Sequence, residues 1–219
     1  MGAGMNALAN YGSLLFNGSC VTLGAWLFAG TISMILGTFL GIISCQQIGS
    51  RGMIGTIRVY TFITKGIPVY VQILLAYFVL PQLIGINLPA FFAATGALAL
   101  CSSGYVTEIV RAQINAIPRG QWDACFVLGY SVPQTITRII APQALKNALP
   151  PLIGELEQLL KSTSLLATIG VTELTRVGMN IISRELNPLP VYLTIAALYL
   201  LFSGIVNCLA WLNNRKACS

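Results

Sequence analysis

Five runs of apolar residues, approximately Ser19 to Cys45, Gly66 to Leu80, Pro89 to Val110, Leu149 to Val171 and Val191 to Leu212, decide what this chain can fold into. A hydrocarbon core about 30 Å thick takes roughly 20 helical residues to cross. Backbone in lipid must satisfy its own hydrogen bonds, so runs of this length predict transmembrane helices. The second run is short in its strictly apolar part and borrows from Ile57 to Thr64 at its start. Composition leaves little room for a water-soluble alternative. The 219 residues are 56% hydrophobic and 8% charged, against about a quarter charged in a soluble domain. One all-α integral membrane domain over residues 1–219 is expected.

Several chemistries are excluded at once. Histidine is absent, which removes Ser-His and Cys-His nucleophiles and histidine-bound zinc. The six cysteines, Cys20, Cys45, Cys101, Cys125, Cys208 and Cys218, form no C-x-x-C pair and mostly sit in apolar runs, so they read as small packing residues. No G-x-x-x-x-G-K-[ST] phosphate loop occurs, so nucleotide energy must come from another polypeptide. The net charge of +6 is scattered between apolar runs and forms no patch for nucleic acid. Met1 to Phe16 contains no Lys or Arg, so the first run is kept as a span rather than read as a leader.

The charges orient the chain. With five spans, one side holds Arg51, Arg58, Lys65, Arg111, Arg119, Arg138, Lys146, Arg215 and Lys216, and the other holds only Arg176 and Arg184. By the positive-inside rule the N-terminus lies outside, and the C-terminus and the 111–148 connection lie in the cytoplasm.

That connection is long enough to be functional in its own right. Trp122, Cys125 and Phe126 recur at i, i+3 and i+4, the face of a short helix, with Asp123 near its positive start and Gly129 as a left-handed cap. Ser131-Val132-Pro133-Gln134 is a capping box that opens a second helix. Ile136, Ile139 and Ile140 line it until Pro142 interrupts the ladder. By pattern alone the pair is either an interfacial amphipathic element resting on lipid or a docking element.

Here the chain resembles the permease subunits of bacterial ABC importers, in their polar amino-acid branch (histidine, glutamine, arginine and opine type). Those carry a cytoplasmic Glu-Ala-Ala, three residues, Gly, nine residues, Ile-x-Leu-Pro signature. This chain has Asp123-Ala124-Cys125, Gly129 and Ile139-Ile140-Ala141-Pro142 at the same spacing. The resemblance continues through Lys65-Gly66-Ile67-Pro68-Val69-Tyr70-Val71-Gln72, Glu108-Ile109-Val110-Arg111, Ile117-Pro118-Arg119-Gly120-Gln121, Leu160-Lys161-Ser162-Thr163-Ser164-Leu165 and Ile169-Gly170-Val171-Thr172-Glu173-Leu174. It implies a five-helix permease fold with cytoplasmic coupling helices in the bacterial inner membrane. Gln121, Asp123, Ala124, Cys125 and Gly129 are then the ATPase-coupling residues. The partners implied are ATP-binding cassette ATPase subunits, a periplasmic or extracellular substrate-binding protein, and a second permease subunit, identical or paralogous. No cofactor is implied.

The fourth run carries Glu155, Glu157 and Lys161. Three central charges cost ~8 to 10 kcal/mol on an insertion scale, and its Leu and Ile return only ~2 to 5, so neighbouring helices or a water-filled cavity must receive them. At about 100° per residue, Glu155, Gln158 and Ser162 share one face, and Glu157, Lys161 and Ser164 the nearly opposite one. Glu157 and Lys161, at i and i+4 in the favourable order, are expected to form a structural ion pair. Glu155 is either a cavity carboxylate for a substrate ammonium, which the resemblance favours, or a hydrogen-bond partner of a neighbouring helix. Ser103, Gln72 and Thr163 are candidate pathway walls, with interhelical hydrogen bonding as the alternative. Ser162 stands where the family often has Asp, which weakens the case for a strongly cationic substrate.

An ion-driven carrier using Glu155 and Glu157 would have no need of the coupling loop, and a Ser-Lys enzyme centred on Lys161 lacks an oxyanion hole. The purified chain alone should therefore hydrolyse no ATP above background in a phosphate-release assay. Robust turnover free of contaminating ATPase would overturn the reading as a subunit.

Overall fold

The computed structural model describes residues 11–45 and 47–218; of the 1–16 stretch lacking basic residues, the first ten lie outside that range. Helix α1 (Gly12–Ile43) leads to α2 (Arg51–Gly66). A break at Ile67-Pro68 turns the chain by 99° into α3 (Val69–Ile84). Next come α4 (Ala90–Asn115) and the short α5 (Arg119–Val127). Helix α6 (Val132–Ile169) is followed by α7 (Leu174–Glu185), bent from it by 49°, and by α8 (Pro188–Cys218). Among the described residues, α1, α4 and α8 are long and apolar enough to cross a membrane; α2 with α3 and α6 with α7 qualify as bent pairs, giving up to five spans.

Three elements differ from the sequence expectation. Pro142 does not end its helix. A wide turn at Ile136–Ile140 shifts the backbone bonding ahead of it, so the missing N–H is absorbed and α6 runs on through Pro150 and Pro151. The residues preceding Pro68 form the transverse helix α2 rather than extending α3. The connection carrying Arg176 and Arg184 is the helix α7, in which Leu174, Val177, Gly178 and Ile181, all buried, stand at i, i+3, i+4 and i+7. Its N-cap is Glu173, whose carboxylate accepts from the Thr175 and Arg176 backbone N–H groups at 2.9 and 2.7 Å.

Helix α4 is the centre of the bundle, with 67% of its apolar window buried, against 28% for α1 and 17% for α8. Its contact with α1 is made by small residues. Ala25, Ala29, Gly30, Ser33, Gly37 and Gly41 form one buried stripe of α1. A Cβ built on Gly37 would lie 2.5 Å from Val106 Cβ and 2.8 Å from the Ser103 carbonyl oxygen; one on Gly41 would lie 2.7 Å from Val110 Cβ. The backbones thus approach as closely as helices can, which is how helices associate where lipid supplies no hydrophobic drive.

Three apolar clusters succeed one another along α1. Leu15 packs with Leu174, Val177, Ile181 and Val191; Ala25 and Ala29 with Ile73, Leu98, Leu159 and Leu166; Cys45 with Val110, Trp122, Ile140 and Ala148. Cys20, Cys45, Cys101, Cys125 and Cys208 are free thiols. Cys45 is fully buried and packs as a small apolar group. Leu27, Ile35, Phe39, Leu193 and Leu200 are more than half exposed, as side chains facing acyl chains would be.

Replacing Gly37 by Ala should destabilise the protein by about 1 to 3 kcal/mol, the usual cost of overpacking. Gly24→Ala on the open side, where a Cβ meets nothing within 4 Å, should be neutral. Denaturant unfolding in detergent micelles compares the two, and equal behaviour would mean that the α1–α4 contact is looser than described.

Candidate functional site

Glu155, Gln158 and Ser162 all project from α6 into one cavity of about 360 Å³. Three elements build it. Ile67, Pro68 and Val69 come from the break between α2 and α3, preceded by Lys65; Cys101, Ser102 and Tyr105 come from α4; Leu159 joins the three polar residues of α6. Its volume suits a small polar molecule. A cavity of about 300 Å³ between α1 and α7, bordered by Asn17, Asn180 and Arg184, brings no carboxylate to its wall.

Ser102 Oγ donates to Glu155 Oε1 at 2.7 Å. No described cation forms a salt bridge with Glu155, since the described bridges are Arg111 with Glu108 and Lys161 with Glu157. The opposite face of α6 carries the latter pair at 2.7 Å, and Asn207 Nδ2 of α8 donates to the same Glu157 carboxylate at 3.1 Å. One carboxylate of this helix is thus held by a cation and an amide, the other by a single hydroxyl.

The other three candidate pathway residues lie outside the cavity lining. Ser103 Oγ is 2.5 Å from Tyr60 Oη and donates to the Leu100 carbonyl. Gln72 Nε2 donates to the Thr64 and Ile67 carbonyls, both at 2.7 Å, which satisfies backbone groups freed by the break. Thr163 Oγ1 donates to the Leu160 carbonyl at 2.6 Å.

The second candidate element is the turn after α5. Gly129 has φ +77°, the Tyr130 N–H donates to the Cys125 carbonyl and the Gly129 N–H to that of Phe126, both at 3.0 Å. This is a complete Schellman motif, in which glycine holds the left-handed position. Gln134 Oε1 then accepts from the Ser131 N–H at 2.9 Å, so the N-cap of α6 stands two residues beyond the glycine. Trp122 and Cys125 are buried against the bundle, and Gln143 Nε2 donates to Gln121 Oε1 at 2.8 Å, tying α5 to α6. Asp123 and Ala124 are exposed. Phe126 departs from the expected face: it is 46% exposed, beside Val127 and Leu128 at 87% and 73%. The fixed turn therefore presents a small apolar knob.

Residues 33–217 match the family model described as the inner membrane component of binding-protein-dependent transport systems. The chain belongs to that family. Among curated relatives it is similar to the arginine transport system permease protein ArtQ of Bacillus subtilis (strain 168), 36% identical over 74% of this chain and 73% of that one. It is also similar to the L-cystine transport system permease protein TcyB of the same organism, 33% identical over 77% and 73%. A crystal structure of an amino acid ABC transporter with histidines superposes at a TM-score of 0.87, with 34% identity over 95% of this chain and 96% of that chain. The inward-facing MetNI methionine ABC transporter shares the fold at a TM-score of 0.80 and 17% identity, over 93% and 95%.

The protein is thus a multi-pass inner-membrane permease subunit of an ABC importer in the polar amino-acid family, and its work is transport rather than bond-making chemistry. Sequence reasoning missed several residues of the permease that the fold brings together. Ser102 and Tyr105 reach the cavity because α4 passes beside α6, which no local pattern shows. Lys65, in the sequence an orienting charge and part of the resemblance, also stands on the cavity wall. Glu173, which enters the sequence reading only within the stretch that carries the resemblance, is fully buried and also accepts from Tyr199 Oη at 3.1 Å; its place before an i, i+3, i+4, i+7 apolar pattern is the available signal.

Proposed function

We propose that the permease passes a polar amino acid through the cavity at Glu155 by alternating access, driven by ATPase subunits that dock on the Gly129 turn. The observation that carries this reading is a carboxylate lining a cavity without a cationic partner, on the helix that begins at that turn. Helix α6 runs from Val132, three residues past Gly129, to Glu155, Gln158 and Ser162. At 1.5 Å per residue the distance from its start to Glu155 is roughly 35 Å, so movement of the turn reaches the cavity through one element.

In this reading the exposed Asp123, Ala124, Phe126, Val127 and Leu128 form the ATPase-docking knob, and the buried Cys125 anchors it to the bundle. Five spans cross the inner membrane with the N-terminus outside and the C-terminus cytoplasmic. A second permease subunit, identical or paralogous, completes the pathway, and a periplasmic or extracellular substrate-binding protein delivers to it. The names of the relatives, which include arginine, glutamine and cystine systems, support an amino-acid substrate, and the Glu155 carboxylate supports recognition of its ammonium.

Two substitutions test the two halves. Gly129→Val meets no steric obstacle, since a Cβ there has nothing within 4 Å. Its cost is the left-handed backbone alone, about 1 to 2 kcal/mol. The variant should insert normally but lose ATPase docking or uncouple hydrolysis from uptake, measured by co-purification and by transport in proteoliposomes; normal transport would show that the turn is not the coupling element. Glu155→Gln should weaken substrate binding inside the permease by roughly 1.5 to 3 kcal/mol, the range for a hydrogen bond to a charged group, without altering the external binding protein's affinity. Glu157→Gln, which breaks the pair with Lys161, should instead lower yield and detergent stability. Uptake kinetics at saturating binding protein separate them, and a selectivity change confined to Glu157→Gln would reverse the assignment of the two faces.

A further inference from the structure

The Glu155 cavity has a second electrical pole. Lys65 stands in the last turn of α2, immediately before the 99° break, and the break places it on the cavity wall with Ile67, Pro68 and Val69. Among the described residues its ammonium forms no salt bridge. It lies 5.7 Å from the centroid of the Tyr105 ring, on the same wall. The acid on the next turn of α4, Glu108, is already engaged by Arg111 and by Thr61 Oγ1. The cavity is therefore lined by one carboxylate and one ammonium that do not neutralise each other. Glu155 Oε1 accepts from the Ser102 hydroxyl, and the lysine rests on an aromatic face.

An amino acid at neutral pH is a zwitterion, with its ammonium and carboxylate on one carbon. Resting on the reading of this cavity as the substrate pathway, we propose that Lys65 receives the substrate α-carboxylate while Glu155 faces the ammonium. The permease then selects zwitterionic amino acids over the corresponding amines. An aromatic face holds a cation without occupying its N–H donors, so Lys65 keeps hydrogen-bonding capacity for an entering anion. A zwitterion satisfies both poles, whereas an amine without the carboxylate leaves Lys65 with only the Glu108 carboxylate, already paired with Arg111, to oppose it and sets it beside another positive charge, an arrangement that disfavours binding. The backbone around the lysine is fixed rather than loose, because the Gln72 amide ties the Thr64 and Ile67 carbonyls on either side of it. Lys65 is thus a specificity-determining residue held by the break itself.

Binding is measured on the detergent-purified permease–ATPase complex without the external binding protein. Each of the twenty L-amino acids is titrated by calorimetry, and then the decarboxylated amine of the tightest binder. The wild type should bind that amino acid at least about tenfold more tightly than its amine. Lys65→Met should lose about 10- to 100-fold for the amino acid, the factor expected for one charge-assisted hydrogen bond, and so bind it no better than the amine, whose own affinity does not fall. Lys65→Arg should restore most of the preference. Lys65→Gln provides the neutral comparison if the methionine variant does not assemble, as judged by gel filtration. Equal wild-type affinity for amino acid and amine, or an unchanged preference in both neutral variants, overturns the assignment of Lys65. If Glu155→Gln weakens amino-acid binding while the Lys65 variants do not, only the lysine's role fails. If no amino acid binds the wild type, or Glu155→Gln binds as the wild type does, the cavity reading fails and the proposal with it.

Discussion

The close approach of α1 to α4 is the constraint on which the rest of the bundle depends. Inside a bilayer, apolar side chains gain little by leaving lipid for protein, so helices stay together through packing and a few hydrogen bonds. Gly37 and Gly41 let the α1 backbone sit against Val106 and Val110, and the same stripe continues through Ser33, Gly30, Ala29 and Ala25. Further along, Gly30 faces Leu156 and Leu159 of α6, and Trp26 Nε1 donates to the Leu156 carbonyl at 2.8 Å. One helix thereby fixes both walls of the cavity, α4 with Ser102 and Tyr105, and α6 with Glu155 and Gln158. Any widening of the α1–α4 contact would shift Ser102 against Glu155, whose hydrogen bond spans these two walls.

The proposed mechanical coupling has a similarly local basis. A proline that ended α6 at residue 142 would have placed a joint between the Gly129 turn and the cavity. The wide turn at Ile136–Ile140 instead carries the helix past it, and the buried Ile140, Ala144 and Ala148 keep that stretch against Cys45, Val110 and Trp122. The turn's exposed side is apolar, its buried side is anchored, and its glycine is the residue that tolerates φ +77° without strain. In the proposed role as a docking element, a turn built this way moves as a body. At the far end α6 tightens at Thr163–Ile169 and stops at Gly170, φ +86°, so the rigid stretch covers the cavity residues and ends just beyond them.

Legibility from sequence followed the range of the interactions. Apolar runs revealed the long helices, because span length is set by bilayer thickness, and the Gly129 cap and the Ser131 capping box are written within a few residues. The i, i+3 and i+4 geometry placed Glu155, Gln158 and Ser162 on one face and Glu157 with Lys161 on another, and the helix carries them so. What escaped depends on contacts distant in sequence. Ser102 meets Glu155 across 53 positions and Trp26 meets Leu156 across 130. The fate of Pro142 escaped for a different reason, since a wide turn ending two residues upstream substitutes for the lost bond without any marker in the residue types. Phe126 was misplaced because the periodicity of a nine-residue helix does not say how wide its buried face is.

The energetics of α6 tie these observations to transport. Its charges make insertion unfavourable for the isolated helix, by several kcal/mol on the translocon scale, and the fold relieves that cost unevenly. Glu157 gains a cation from its own helix and an amide from α8, which settles its charge and binds α8 to α6. Glu155 gains one serine hydroxyl and a cavity. If both carboxylates served stability alone, the same local solution, a lysine four residues on, was available to Glu155; position 159 holds a buried leucine instead. A carboxylate left facing a cavity with its charge unpaired by protein is costly in the empty permease, and the interaction that offsets the cost is one an incoming cationic group can supply and then surrender. In the proposed pathway, keeping that charge unpaired allows binding to be favourable without becoming permanent, which translocation requires.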